Sequence, residues 1–225
     1  MELTENTLSV LKNFSGINQN ILIKKGNVIK TISEARNVLA IANVVEEFPK
    51  DVGIYDLNEF IGVLGLVDTP NLKFDDDFMT ISDSTGRSKV KYFYSSEDTL
   101  TTPSKDITMP DVDVRFKLDV EVLNKLKRAA STLGHNEVSI VGKDGSLNLS
   151  VVDSNNVTSN AFSIDIDGEF KEDAVFNFIL NINNLKIVSG DYDVQISSKL
   201  ISQFTHSDEK LRYWIAMEKS STYGV

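Results

Sequence analysis

Cysteine is absent from this 225-residue chain, which excludes a disulfide framework, a thiolate metal centre and a cysteine nucleophile, and fits a reducing compartment. Histidine occurs only twice. His135 lies in a helix-to-strand turn, Gly134-His135-Asn136, and His206 in a polar loop far along the chain, so neither a catalytic triad nor a two-histidine metal site is supported. No apolar run approaches the length of about 20 residues that a membrane-spanning helix needs. Residues Met1 to Asn6 are acidic and polar, unlike a secretory signal. These absences point to a soluble, cytosolic protein. Positive charge is also in the minority, with 23 Lys and Arg against 33 Asp and Glu and a net charge of −10. The deficit is even along the chain: residues 1–110 carry 11 cations against 16 anions, and residues 111–225 carry 12 against 17. Neither half is a basic tail of the kind that binds phosphates by charge alone.

An apolar content of 41% suffices for a real core in two modest domains, and the chain describes the same half twice. Over residues 4–96, a helical pattern (Leu8, Leu11, Phe14) leads to a strand at Ile21 to Lys24. A turn at Lys25-Gly26-Asn27 and a return strand from Val28 follow. Over residues 115–219, Val122, Leu126, Ala129 and Leu133 lead to Glu137 to Val141, a turn at Lys143-Asp144-Gly145 and a return strand from Ser146. Ile54-Tyr55-Asp56-Leu57-Asn58 opens a short apolar helix (Phe60, Ile61, Leu64), as Phe178-Ile179-Leu180-Asn181 opens another (Ile182, Leu185). Val90 to Tyr94 closes the first copy, and Tyr213 to Met217 the second. Four elements matched in order imply an internal duplication. Between the copies, Ser95 to Asp113 lacks lasting periodicity and holds Pro103 and Pro110, which favour extended chain. The expected division is a first domain over 1–96, a connector over 97–114 and a second domain over 115–225. Ile107 and Met109 are apolar residues in that polar connector, which implies that it is pinned to a surface.

The sharpest local pattern is the helix from about Asp119 to Leu133. Its apolar stripe (Val122, Leu126, Ala129, Leu133, flanked by Leu123 and Ala130) leaves Lys125 and Arg128 together on the far side, with Lys127 near the edge. The first helix exposes Lys12, and Lys186 lies by the last helical segment. Solvation alone accounts for such cations on any one helix; their recurrence on equivalent helices favours a shared role. Asp56 to Leu66 supplies no cation.

Candidate catalytic chemistry is sparse. Asp75-Asp76-Asp77 cannot all point at one ion from a regular strand and reads as an acidic hairpin turn. Asp165, Asp167 and Glu169 around Gly168 share only part of a calcium-loop spacing and fit a strand running into a turn. Gly142-Lys143-Asp144 lacks the rest of a phosphate loop. Trp214 reads as strand packing.

Several stretches resemble the sliding DNA clamp, the polymerase processivity factor, of T-even-type bacteriophages, over nearly the whole chain. They are Leu11-Lys12-Asn13-Phe14; Ile54 to Asn58 with Phe60, Gly62 and Leu66; Pro103, Lys105, Ile107 and Pro110; Phe176 to Ile179 and Asn181 with Asn184, Lys186, Gly190 and Tyr192; and Ala216, Glu218, Ser221 and Thr222. The resemblance implies an α+β fold of two similar clamp domains, and a homotrimeric ring with sheets outside and helices lining a hole around duplex DNA. It implies no catalysis and neither cofactor nor metal. The implied partners are double-stranded DNA held without sequence preference, a DNA polymerase, a clamp-loader ATPase and late-transcription factors, in the cytoplasm of an infected bacterial host. On this reading Lys12, Lys125, Lys127, Arg128 and Lys186 face DNA. Ile107, Met109, Tyr223 and Val225 line a groove for partner peptides. Subunits join through edge strands near Val90 to Tyr94 and Val157 to Ile164, at Tyr92, Tyr94, Ala161 and Phe162. Two other readings stay open. One is a metal-dependent hydrolase or nuclease using Asp75 to Asp77 or Asp165 and Asp167; the other is a structural ring protein without DNA contact.

Overall fold

A computed structural model describes residues 1–225 apart from Val157, Glu209 and Val225, and the chain divides into two units, Met1–Asp106 and Ile107–Val225. The first unit begins with helix α1 (Glu5–Ser15). Thr4 caps it by accepting a hydrogen bond from the Thr7 amide, and Glu46 accepts from the Thr4 amide and the Thr7 hydroxyl. Two backbone donors at the helix start, the amides of Thr4 and Thr7, are thereby satisfied. Val10, Leu11 and Phe14 form its buried side. Strands β1 (Ile21–Ile23), β2 (Gly26–Ile32), β3 (Val38–Phe48) and β4 (Val52–Ile54) follow. Helix α2 (Leu57–Leu64) is capped by Asp56, whose carboxylate accepts from the amides of Asn58 and Glu59. A three-stranded antiparallel sheet of β5 (Asn71–Phe74), β6 (Phe78–Ser82) and β7 (Lys89–Phe93) completes the unit.

The second unit repeats this order. It contains β8 (Val114–Leu118), α3 (Val120–Leu133), β9 (Glu137–Lys143), β10 (Ser146–Val152), β11 (Phe162–Ile166), β12 (Gly168–Phe170) and β13 (Val175–Asn181). A 3-10 turn at Ile182–Asn184 and strands β14 (Tyr192–Ser197), β15 (Ile201–His206), β16 (Leu211–Ala216) and β17 (Thr222–Gly224) complete it. The pairings repeat as well as the order. β1 pairs with β4 as β9 pairs with β13, and β2 with β3 as β10 with β11. β5-β6-β7 runs as β14-β15-β16 does, and the bridge of Glu2 to Asn71 stands where β8 pairs with β14. In each unit the inward residues of the strands alternate with outward polar ones, as in β8, where Val114, Phe116 and Leu118 are buried between exposed Arg115 and Lys117.

Three details differ from the sequence reading. The first expected hairpin does not form: β1 pairs with β4, and β2 pairs with β3. A two-residue turn of type I′ needs two consecutive residues at positive φ. Asp144 (φ 51°) and Gly145 (φ 75°) supply that pair between β9 and β10, whereas at the Lys25-Gly26-Asn27 turn Gly26 alone has positive φ (113°). The Lys25 amide there donates to Asp51 instead. Secondly, the last helical segment is only the 3-10 turn Ile182–Asn184, capped by the Asn181 side chain, which accepts from the Asn183 amide. Thirdly, His206 lies not in a loop but at the end of β15, 7% exposed, edge-on to the Tyr192 ring at 5.0 Å. Gly190 makes room for it, since a Cβ there would come within 2.1 Å of the imidazole.

Candidate nucleic-acid interface and docking surfaces

Helix α3 buries Leu123, Leu126 and Ala130, while Lys125 and Arg128 are exposed. Burial of each leucine contributes about 2 kcal/mol, which fixes the helix rotation and hence the direction of the cations. The helix start is held by Asp191, whose carboxylate accepts from the Val120 amide at 2.7 Å. Its end is closed by Gly134 in the left-handed region. Lys127 is half-buried, and burial alone pushes its ammonium below the usual lysine range. With Lys186 it borders a shallow hollow of about 410 Å³ between the end of α3 and the 3-10 turn. Lys12 is exposed on α1. The exposed positions of α2 are Asn58, Glu59 and Gly62, so that helix adds negative charge.

The two acidic clusters have other employment. Asp75 to Asp77 form the turn between β5 and β6, and the Lys50 ammonium sits inside it, donating to the carbonyls of Asp75 (2.8 Å) and Asp76 (2.9 Å). Asp165 accepts from the Asn148 side chain at 2.9 Å. Asp165, Asp167 and Glu169 line a groove of about 920 Å³ together with Arg115 and Lys117, and Glu169 pairs directly opposite Arg115. Among the described residues, no three His, Cys, Asp or Glu side chains are grouped to hold a metal ion.

Ile107 and Met109 are half-buried and lie in no strand or helix. Nearby, Asp113 donates its amide to the Ile196 carbonyl and accepts from the Ser198 amide at 2.6 Å. Tyr223 on β17 stacks on Phe176 and Phe178 with centroids 6.1 and 6.0 Å apart. Its hydroxyl is pushed up by burial and then by the charge of Asp113. Val225, assigned to the same groove from sequence, lies outside the described residues.

Both strands assigned to subunit contact are sheet edges. Among the described residues, β7 borders only β6, and β11 borders only β10. Tyr92 is half-buried edge-on to Phe60 at 5.2 Å, and its hydroxyl is pushed up to about 12 by burial and then by Glu59 and Asp56. Tyr94, half-buried just past β7, is likewise pushed up to about 12, by burial and then Asp75. Phe162 is half-buried and Ala161 exposed, and Val157, where that segment was expected to begin, lies outside the described residues. The sequence reading missed one cationic surface: Lys73, Lys89 and Lys91 share the solvent face of the β5-β6-β7 sheet. The alternation Lys89-Val90-Lys91 was a signal for one strand of it, and the register supplies the rest.

The pairing order, repeated in two units, defines the DNA-clamp class of fold. Solved structures of that class match nearly the whole chain. An A. fulgidus PCNA bound to the C-terminal region of FEN-1 gives a TM-score of 0.71 at 11% identity, covering 98% of each chain. The PCNA of Thermococcus kodakaraensis gives 0.68 at 14% identity, covering 95% of this chain and 96% of its own. Residues 4–101 match the family model described as DNA polymerase processivity factor, and residues 115–219 the one described as gp45 sliding clamp, C terminal. The sliding clamp of Vibrio phage KVP40 is 32% identical over 223 residues, 97% of this chain and 99% of that one. That of Escherichia phage RB69 is 32% identical over 234 aligned positions, 99% of both chains. This chain belongs to the sliding-clamp family of T4-like phages. The hydrolase reading receives no support from these relatives.

Proposed function

We propose that the protein is a ring-shaped processivity factor that encircles duplex DNA and tethers a DNA polymerase without catalysing a reaction itself. The observation that carries this reading is the exposed pair Lys125 and Arg128 on a helix of one of two like-built units, in a chain of net charge −10. A topologically held duplex needs only weak, sequence-independent phosphate contacts. Lys12, Lys125, Lys127, Arg128 and Lys186 supply these. Residues 97–114 connect the two clamp domains.

Three copies close head to tail, edge strand β7 of one copy adding to edge strand β11 of the next, with Tyr92, Tyr94, Ala161 and Phe162 at the seam. Ile107, Met109, Tyr223 and Val225 form the groove for short apolar partner tails, weak singly and strengthened by three copies. A clamp-loader ATPase opens the ring, and late-transcription factors share the groove, in the host cytoplasm.

The decisive experiment loads the protein onto a nicked circular plasmid. Retention in high salt followed by release when the circle is cut supports the ring, while retention on linear DNA contradicts it. Light scattering should give the mass of three chains. Met109→Glu should abolish binding of a polymerase tail peptide in calorimetry, with the mass of the assembly unchanged.

A further inference from the structure

The β5-β6-β7 sheet has two unlike faces. Leu72, Met79 and Ile81 point into the core at 2%, 1% and 0% exposure. The opposite face follows from the register: Lys73 stands beside Thr80 and Thr80 beside Lys91, Phe78 stands beside Phe93, and Ser82 beside Lys89. This face therefore carries three lysines and no carboxylate, in an acidic protein. The ion pairs among the described residues engage Lys24, Lys30 and Lys50, and none engages Lys73, Lys89 or Lys91. Of the flanking acids, Asp76 pairs with Lys50 at 3.5 Å, and the Asp83 carboxylate accepts from the Thr85 hydroxyl and the amides of Arg87 and Ser88.

The aromatic groups on this face are as unusual as its charge. Phe93 is 62% exposed and leans on Phe78 with centroids 5.7 Å apart. The Lys91 ammonium stands 3.7 Å from the Phe78 centroid and 4.8 Å from that of Phe93. A flat sheet that offers exposed rings between lysines matches the chemistry of stacked bases and a phosphate backbone. Lys89 and Lys91, two residues apart on one strand, are spaced about 6.8 Å along it. Thr80 puts a hydroxyl donor between Lys73 and Lys91.

We propose that this face binds single-stranded nucleic acid, with Lys73, Lys89 and Lys91 on successive phosphates and Phe93 stacked on a base. A duplex keeps its base faces covered and would leave the rings unused. An acidic peptide would use the lysines but give the phenylalanines no stacking partner. Strand addition at the β7 edge uses backbone groups in the sheet plane, so ring closure leaves this face open.

Fluorescence anisotropy of the full-length protein tests this with a labelled oligothymidine of about 20 nucleotides, a duplex of equal length and a glutamate-rich peptide of matched charge. The oligothymidine should bind most tightly, with log K falling by about 2 per log unit of salt for three contacts. Lys73→Ala with Lys89→Ala and Lys91→Ala should lower its affinity at least about tenfold and flatten that slope. Phe93→Ala should lower it at least about fivefold and leave the slope unchanged. Lys125→Ala with Arg128→Ala should leave it unchanged, and the triple lysine variant should still load onto circular DNA. Circular dichroism confirms that each variant is folded. Undetectable binding of oligothymidine, equal or tighter binding of the peptide or duplex, indifference to either sheet-face variant, or loss in the α3 variant would each overturn the proposal.

Discussion

Helices α2 and α3, the second helix of one unit and the first of the other, carry opposite charge. α2 exposes Glu59 and no cation, whereas α3 exposes Lys125 and Arg128. Their buried sides obey the same demand, Leu57, Phe60 and Leu64 in one and Leu123, Leu126 and Ala130 in the other. Packing constrains only the buried stripe, so amphipathic helices with the same kind of apolar side can differ freely in exposed charge. The turns diverge in the same way. The β9–β10 hairpin has the positive-φ pair Asp144-Gly145, while the first unit has no second such residue beside Gly26 and pairs its strands through other neighbours.

The largest effect expected in breaking this comparison comes from Gly53 in β4. A Cβ there would lie 2.1 Å from the Ser95 carbonyl oxygen, backbone against backbone. The Gly53 carbonyl also accepts from the Ser95 amide, so the two segments cannot separate freely. Gly53→Ala should cost about 3 kcal/mol, read as a lowered urea midpoint. A smaller loss would show that this segment yields.

Next in size is the charge contrast itself. Lys125→Ala with Arg128→Ala should lower the salt slope of duplex binding by about 1.8 log units if both neutralise phosphates, against about 0.9 for Lys12→Ala. Conversely, Glu59→Lys should add a contact through α2. An unchanged slope would place α2 away from the duplex.

The pH limits sharpen the comparison further. Burial pushes the Glu46 carboxyl up, but hydrogen bonds from Thr7 and Thr4 outweigh it and hold it below the usual range. Its stabilisation is therefore present above the unfolded carboxylate pKa and lost as pH falls through the lower folded value. Tyr92 and Tyr94 act in the opposite sense: their contribution is complete below the unfolded value of 10.0 and disappears as pH rises towards about 12. Urea midpoints measured against pH should fall at both ends, and Glu46→Gln should flatten the acid limb alone. An acid limb unaltered by that change would remove Glu46 from the account.

The smallest expected effect is a gain. Gly62 lies inside α2 with no atom within 4 Å of a would-be Cβ. Gly62→Ala should stabilise the protein by about 0.5–1 kcal/mol, seen as a higher Tm in calorimetry. A loss instead would mean that α2 packs more tightly at that face than Gly62's open surroundings indicate.

The sequence by itself determined the duplication, the positions of α1, α2 and α3 and the cationic side of α3, because apolar periodicity and charge spacing are local properties of the chain. Lys125 and Arg128 could be read in this way from residues three and four apart. Tertiary structure decided which strand pairs with which: β1 chooses β4 over its neighbour β2, since pairing is a competition among edges distant in sequence. It also decided that His206 is buried beside Tyr192, and that Lys50 occupies the acidic turn of Asp75 to Asp77. The Lys73-Thr80-Lys91 row likewise exists only once three strands align. Register brings residues seven to eighteen positions apart onto one face, and no single-strand pattern contains that information.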